Sequence, residues 1–227
     1  MGVIAGASAA PRVAQDLRSA PASTQLLSAL RSAAPEADPA VLAMALESRD
    51  CAQRAGIVPP AQRLAVIDYT RPSTERRLWV FDLGTPRLLF AEHVAHGRGS
   101  GDNLASHFSN DDGSHQSRLG LFETSETYVG GNGYSLRMDG LEPGFNDRAR
   151  DRSIVMHGAW YVNPALATRQ GRLGRSYGCP AVRPDVARPV IDSLKGGQLL
   201  FAYYPDADWL KRSQLLDCKG SLASGSR

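Results

Sequence analysis

The sequence predicts a mainly β domain with few helices, and three observations carry that reading. From Leu64 onward, short runs rich in Val, Phe, Leu and Trp recur: "LAVIDY", "RLWVFDL", "RLLFAEHVAH", "SIVMHG" and "QLLFAYY". Branched and aromatic side chains of this kind suit a pleated, half-buried surface. The runs are punctuated by turn residues: Gly84-Thr85-Pro86 joins the second to the third, and "TYVGGNGYSLRM" folds back at Gly-Asn-Gly. Helical periodicity is confined to a few segments, so strand and helix do not alternate as they do in a parallel α/β sheet.

Taken in order, residues 1–37 are rich in Ala, Ser and Pro and read as a flexible leader remnant or linker, with one short helix at Ser23–Arg31. The opening "MGVIAGASAAP" ends in small residues like a signal-peptidase site, but it has no basic n-region and a very short apolar core. A leader and an Ala-rich terminus both remain open. Asp38-Pro39 starts a helix, because Asp caps free N–H groups and Pro is pre-set for the first helical position. Val41 with Ala45 and Leu42 with Leu46 give that helix one apolar face, and Gly56 ends it. Residues 97–117 form a polar loop whose length marks it as functional or disordered. Residues Pro184–Leu194 suit a short helix, and residues 211–227 a polar tail. The compact domain is expected over residues 38–210.

Composition narrows the function. The 227 residues suit one domain with extensions, and 42% hydrophobic residues suffice for a core. A net charge of +3 is too mild to indicate nucleic acid, which calls for a concentrated basic patch. No apolar run approaches the roughly 20 residues of a membrane-spanning helix. Arginine outnumbers lysine, so planar forks for carboxylates are available. The three cysteines are Cys51, Cys179 and Cys218. In an oxidising compartment an odd count leaves one thiol free, whereas in a reducing one all three are free.

Cys179 has the setting for chemistry. In "GRLGRSYGCPAV" it follows Gly178 in a loop-like stretch behind Arg172 and Arg175. Glycine lets the backbone bend sharply and approach a substrate, and positive surroundings favour the thiolate. Pro180 has no N–H, so oxyanion donors must be the amide of Cys179 or those before it. His157 ends the apolar run "SIVMHG" and is followed by Gly158, which suits projection into a cleft. A Cys–His pair is the minimum for thiol acyl transfer. The competing reading of Cys179, an inert small hydrophobe, stays open on these residues alone. Cys51 and Cys218 read as packing residues or as two halves of a disulfide.

Metal chemistry is disfavoured. His93 and His96 lie three apart, which on a strand puts them on opposite faces, and neither HExxH nor CxxC occurs. The glycines of "HGRGSG" lack the Lys-Ser/Thr of a phosphate loop.

"HG" followed by "SYGCPAV" resembles the His…Ser/Thr-His-Gly-Cys signature of the L,D-transpeptidases, the YkuD-type cell-wall enzymes. The segments "YTRPSTERRLWVFDL", "VAHGRGSGDN", "FSNDDGSHQSRLG" and "YVGGNGYSLRMDGLEPGFNDRARDRSIVMHGAWYV" are similar to the murein L,D-transpeptidase catalytic-domain branch of Gram-negative bacteria. The resemblance covers about residues 38–205. It implies a β-sandwich-like catalytic domain with a preceding helix and short flanking helices, no cofactor or metal, and a periplasmic monomer. The implied partners are peptidoglycan stem peptides, without nucleic acid or membrane span. It further implies that Cys179 is the nucleophile, His157 the base oriented by the Gly158 carbonyl, Ser176 the signature serine and Gly178 the turn residue. Tyr177 stands where the signature has a second histidine, and Pro180-Ala181 replaces the usual substrate contact. Tyr177, Arg175, Arg183 and His96 are therefore the expected substrate-binding residues. Transfer to an amine, hydrolysis of the same thioester (an L,D-carboxypeptidase) and a non-catalytic wall-binding module are the three functions to separate.

Overall fold

A computed structural model describes residues 22–218. Helix α1 (Ala22–Ala33) and helix α2 (Pro39–Arg54) precede strands β1 (Arg63–Asp68), β2 (Leu78–Asp82) and β3 (Arg87–Glu92). After the long polar loop come β4 (Gly120–Gly130), β5 (Gly133–Gly140), β6 (Val155–Gly158) and α3 (Pro164–Gln170). The chain ends through β7 (Ala181–Val182), α4 (Pro184–Leu194), β8 (Leu199–Tyr203) and α5 (Ala207–Arg212). The mainly β architecture is the one the runs of branched and aromatic residues require.

All eight strands share one sheet, in the order β3-β2-β1-β8-β4-β5-β6-β7. β1 lies near the middle, antiparallel to β2 and parallel to β8. Its residues 64–68 are all buried, as is the whole of β2. Both faces of these strands are therefore covered, which is why they read as continuous apolar runs and not as alternations. The chain leaving β3 returns to the far edge, where Ala95 bridges Ala181 of β7 and Gly97 bridges Ser176. The sheet thus curls into a nearly closed barrel, and its seam carries the "GRSYGCPAV" segment.

Asp38 accepts a hydrogen bond from the Ala40 N–H at 2.7 Å, with Pro39 at the first helical position. One face of α2 buries Val41, Leu42, Ala45, Leu46, Cys51 and Ala52. Helix α4 buries Ala187, Val190, Ile191 and Leu194, a three-to-four spacing.

The domain limits differ from the expectation at both ends. Residues 22–37 are not a flexible linker: α1 extends past the predicted Ser23–Arg31, and Leu30, Ala34 and Ala37 are buried in the main core. The Ala-rich composition hid this, since small residues in close helix packing look like linker residues. The leader expected before them lies outside the described residues. Nor is the segment after residue 210 only a polar tail. Trp209 is fully buried, Ser213 and Leu215 are buried, and Cys218 forms a disulfide with Cys51. Residues 219–227 lie outside the described residues.

This disulfide ties the end of the described chain to α2 across 167 residues of sequence. A cross-link over so long a loop restricts the unfolded chain strongly. Its reduction, or Cys218→Ser, is expected to cost about 2–5 kcal/mol. Urea unfolding with and without reductant measures this, and coincident midpoints would show that the tie does not stabilise the fold.

Candidate active site

His157 sits in β6, paired in parallel register with Ala181 of β7. Its backbone N–H donates to the Pro180 carbonyl at 3.4 Å, so it is tied to the residue that follows Cys179. The ring is almost buried. Its Nδ1 lies 3.0 Å from the Gly158 carbonyl oxygen. A carbonyl only accepts, so Nδ1 carries the proton and Nε2 keeps its lone pair. Burial lowers the pKa of His157, against a smaller opposing effect of the Gly158 carbonyl. At neutral pH the ring is an uncharged base. Gly158 is needed as glycine: a Cβ there would lie 2.8 Å from the Cβ of Ala187 on α4.

Cys179 is 8% exposed. Its sulfur accepts from the Val155 N–H at 3.5 Å and donates toward the Ser153 carbonyl at 3.8 Å. Burial raises the thiol pKa, while the Val155 N–H and the Arg152 guanidinium oppose the rise. Among the described residues no hydrogen bond joins Cys179 to His157. With its pKa raised, Cys179 rests as a neutral thiol, and with its pKa lowered, His157 rests as a neutral imidazole.

The loop that carries Cys179 is held on every side. Ser176 Oγ donates to the Cys179 carbonyl at 2.6 Å and accepts from the Gly178 N–H at 3.1 Å. Ser117 Oγ accepts from the Gly97 N–H at 3.0 Å and donates to the Gly178 carbonyl at 3.3 Å. Gly178 has φ +120°, a conformation that L side chains rarely adopt, and a Cβ on it would meet the Gln116 carbonyl at 2.8 Å. With Gly178 N–H spent on Ser176, the Cys179 N–H is the adjacent donor left without a protein acceptor among the described residues.

The other expected contacts divide. Tyr177 is 63% exposed, stacked at 4.7 Å on His115 with the Arg98 guanidinium 4.5 Å from its ring centre. Arg175 reaches the Gly101 carbonyl and Asp102, both at 2.8 Å, at the rim of the same loop cluster. His96, expected as a substrate contact, is buried. It is 1% exposed, its Nδ1 accepts from Arg77 at 2.7 Å, and burial with Arg77 pulls its pKa down to about 4. There it joins the Val94 and Arg71 carbonyls as an acceptor for the fully buried Arg77. Arg183 is likewise committed elsewhere. Its fork holds Glu92 at 2.9 and 3.0 Å and it pairs with Asp185 at the start of α4.

Sequence reasoning passed over Arg152, Ser153 and Ser117. Arg152 bonds the Ser109 carbonyl and Ser114 Oγ of the long polar loop, both at 3.1 Å, and its charge acts on Cys179. Ser153 takes φ +52°, uncommon for a side-chain-bearing residue, and thereby aims its carbonyl at the thiol. Their position just before "IVMHG" was the available signal. Among the described residues, no group of three or more His, Cys, Asp or Glu side chains is placed to hold a metal ion.

The Cys179 loop and the His157 strand thus meet at the seam of the sheet, where His157 of β6 pairs with Ala181 of β7. The family model described as the L,D-transpeptidase catalytic domain (YkuD_2) matches residues 33–203, and the chain belongs to that family. Curated proteins yield no match. Among solved structures, an L,D-transpeptidase from Mycobacterium smegmatis is 16% identical with a TM-score of 0.39, covering 63% of this chain and 59% of that one. Bd1075 of Bdellovibrio bacteriovorus is 15% identical at TM-score 0.39, over 63% of this chain and 48% of its own. The L,D-transpeptidase LdtMt1, solved in complex with imipenem, is 14% identical at TM-score 0.39, over 63% and 59%. The chain thus spans about half to three-fifths of the length of these solved relatives.

Proposed function

We propose that this protein is a peptidoglycan L,D-transpeptidase working through a Cys179 thioester. The observation that carries the reading is the locked tautomer of His157. With Nδ1–H bound to the Gly158 carbonyl, Nε2 is the free base on the strand beside the Cys179 loop. In the first half-reaction the Cys179 S–H proton passes to Nε2 as the sulfur attacks the carbonyl carbon of the third residue in a tetrapeptide stem. The Cys179 N–H donates to the oxyanion. As the C–N bond breaks, His157 returns the proton to the amine of the terminal D-alanine, which leaves. A side-chain amine of a second stem then attacks the thioester and gives its proton, through His157, to the departing thiolate. Both protons are accounted for, and the enzyme ends as thiol and neutral imidazole.

The disulfide supports a location outside the reducing cytoplasm, and we place the protein in the periplasm. Among the described residues, no helix is long and apolar enough to cross a membrane. The same site would take a carbapenem, the β-lactam carbonyl standing in for the scissile amide.

Incubation of the pure protein with disaccharide tetrapeptide, followed by mass analysis, tests the assignment. The expected products are free D-alanine and a cross-linked dimer. D-Alanine with tripeptide alone would make the enzyme a carboxypeptidase, and unchanged substrate would make the chain a binding module.

A further inference from the structure

Arg118 lies two residues before β4 and is 3% exposed, and its Nε, Nη1 and Nη2 atoms are all buried without a hydrogen-bond partner among the described residues. It lines a small cavity between the sheet and the catalytic loop, together with Tyr69, Phe122, Met138, Gly178 and Pro180. The lining contains no aspartate or glutamate. A buried lysine or carboxyl group in such a place becomes neutral by shifting its pKa. A guanidinium has no such escape, because it stays protonated in proteins. An unpaired buried charge is strongly destabilising, and none of the described residues lining the cavity supplies the compensating charge.

The cavity limits what that charge can be. Its free space, about 10 Å³, admits one water-sized particle. Phosphate, sulfate and carboxylates are too large, whereas a monatomic halide is only slightly bigger than water and accepts several N–H bonds at once. We propose that Arg118 holds a resident chloride ion in this cavity, beneath the loop that carries Cys179. Gly178 and Pro180 flank the nucleophile in sequence and form one wall of the site, so the ion props the loop from within. This binding does not depend on the reaction assigned above, and its test can succeed or fail independently of it.

The direct test is crystallisation of the full chain from sodium bromide, with diffraction at the bromine edge. An anomalous peak within hydrogen-bond reach of the Arg118 guanidinium is expected. In parallel, thermal melting is followed from 1 to 100 mM chloride, with gluconate keeping the ionic strength constant. A ligand that binds only the folded state raises the melting temperature with its concentration, here by about 5 °C. Arg118→Met removes the charge at similar volume, so it should abolish that dependence and melt no lower than the wild type in gluconate. Should the variant fail to fold, the two wild-type measurements still decide. Absence of the bromide peak, or identical melting in chloride and gluconate, overturns the proposal and leaves ordered water as the partner of Arg118.

Discussion

Cys179→Ala is expected to remove acylation by a carbapenem completely, while Cys51→Ala and Cys218→Ala keep most of it. A nucleophile attacks the β-lactam carbonyl and the ring C–N bond breaks while the amine stays attached, so the protein gains the mass of one whole inhibitor. Cys51 and Cys218 are joined to each other in the oxidised protein, and Cys179 is the free thiol among the described residues. Wild type should therefore show one adduct by intact mass, and Cys179→Ala none. The fold should hardly notice the change, because the sulfur makes only two long contacts, at 3.5 and 3.8 Å. Removing one buried atom of this kind costs about 1 kcal/mol, so a loss of acylation in a protein that still melts cooperatively is a loss of chemistry. An adduct that persists in Cys179→Ala would show that another group is the nucleophile.

The sequence made some elements legible because one interaction settles each of them locally. Asp38-Pro39 caps and starts α2 by its own side chain and ring, and Pro184–Leu194 repeats its apolar residues at helical spacing. The curling of the sheet was not legible. It depends on Ala95 meeting Ala181 and on Gly97 meeting Ser176, contacts between residues about 80 positions apart. Gly97 shows the constraint: a Cβ there would lie 2.8 Å from Gly178 Cα and 2.3 Å from the His115 carbonyl. The pairing of Cys51 with Cys218 was open for the same reason, since spacing says nothing about where a helix and a chain end meet.

For the site, residue type nominated Cys179 and His157, but it could not tell which of the other candidates have their charges already paired. "VAHG" and "VMHG" look alike, yet the first histidine is locked on Arg77 and the second lies on β6, which pairs with β7 two residues after Cys179. Arg183 looked available until Glu92 was seen in its fork, and Glu92 is 91 residues away. Arg152 and Ser153 were missed because their value lies in where a backbone carbonyl and a distant guanidinium point, which one-dimensional spacing does not encode.

His157→Gln is expected to slow carbapenem acylation roughly 100-fold or more, and to change its pH dependence. Glutamine keeps a polar side chain of similar size but cannot take the thiol proton. In the wild type, the active form is the neutral thiol with the neutral imidazole. His157 has a lowered pKa, so acid removes this form only below the ordinary histidine value of about 6.5. Cys179 has a raised pKa, so alkali removes it only above the ordinary thiol value of about 8.5. The acylation rate should therefore be flat between these limits. Without the base, only thiolate already present can attack. The residual rate of His157→Gln should then climb about tenfold per pH unit across the same range, following the thiolate fraction. A merely structural role for His157 would lower the rate without creating this slope. His96→Gln supplies the contrast. It disturbs one of the buried contacts of Arg77, which keeps the Val94 and Arg71 carbonyls, and should lower the melting temperature, but where the protein remains folded its acylation should stay pH-independent. If His96→Gln instead acquires the slope while His157→Gln stays flat and near the wild-type rate, the base has been assigned to the wrong histidine.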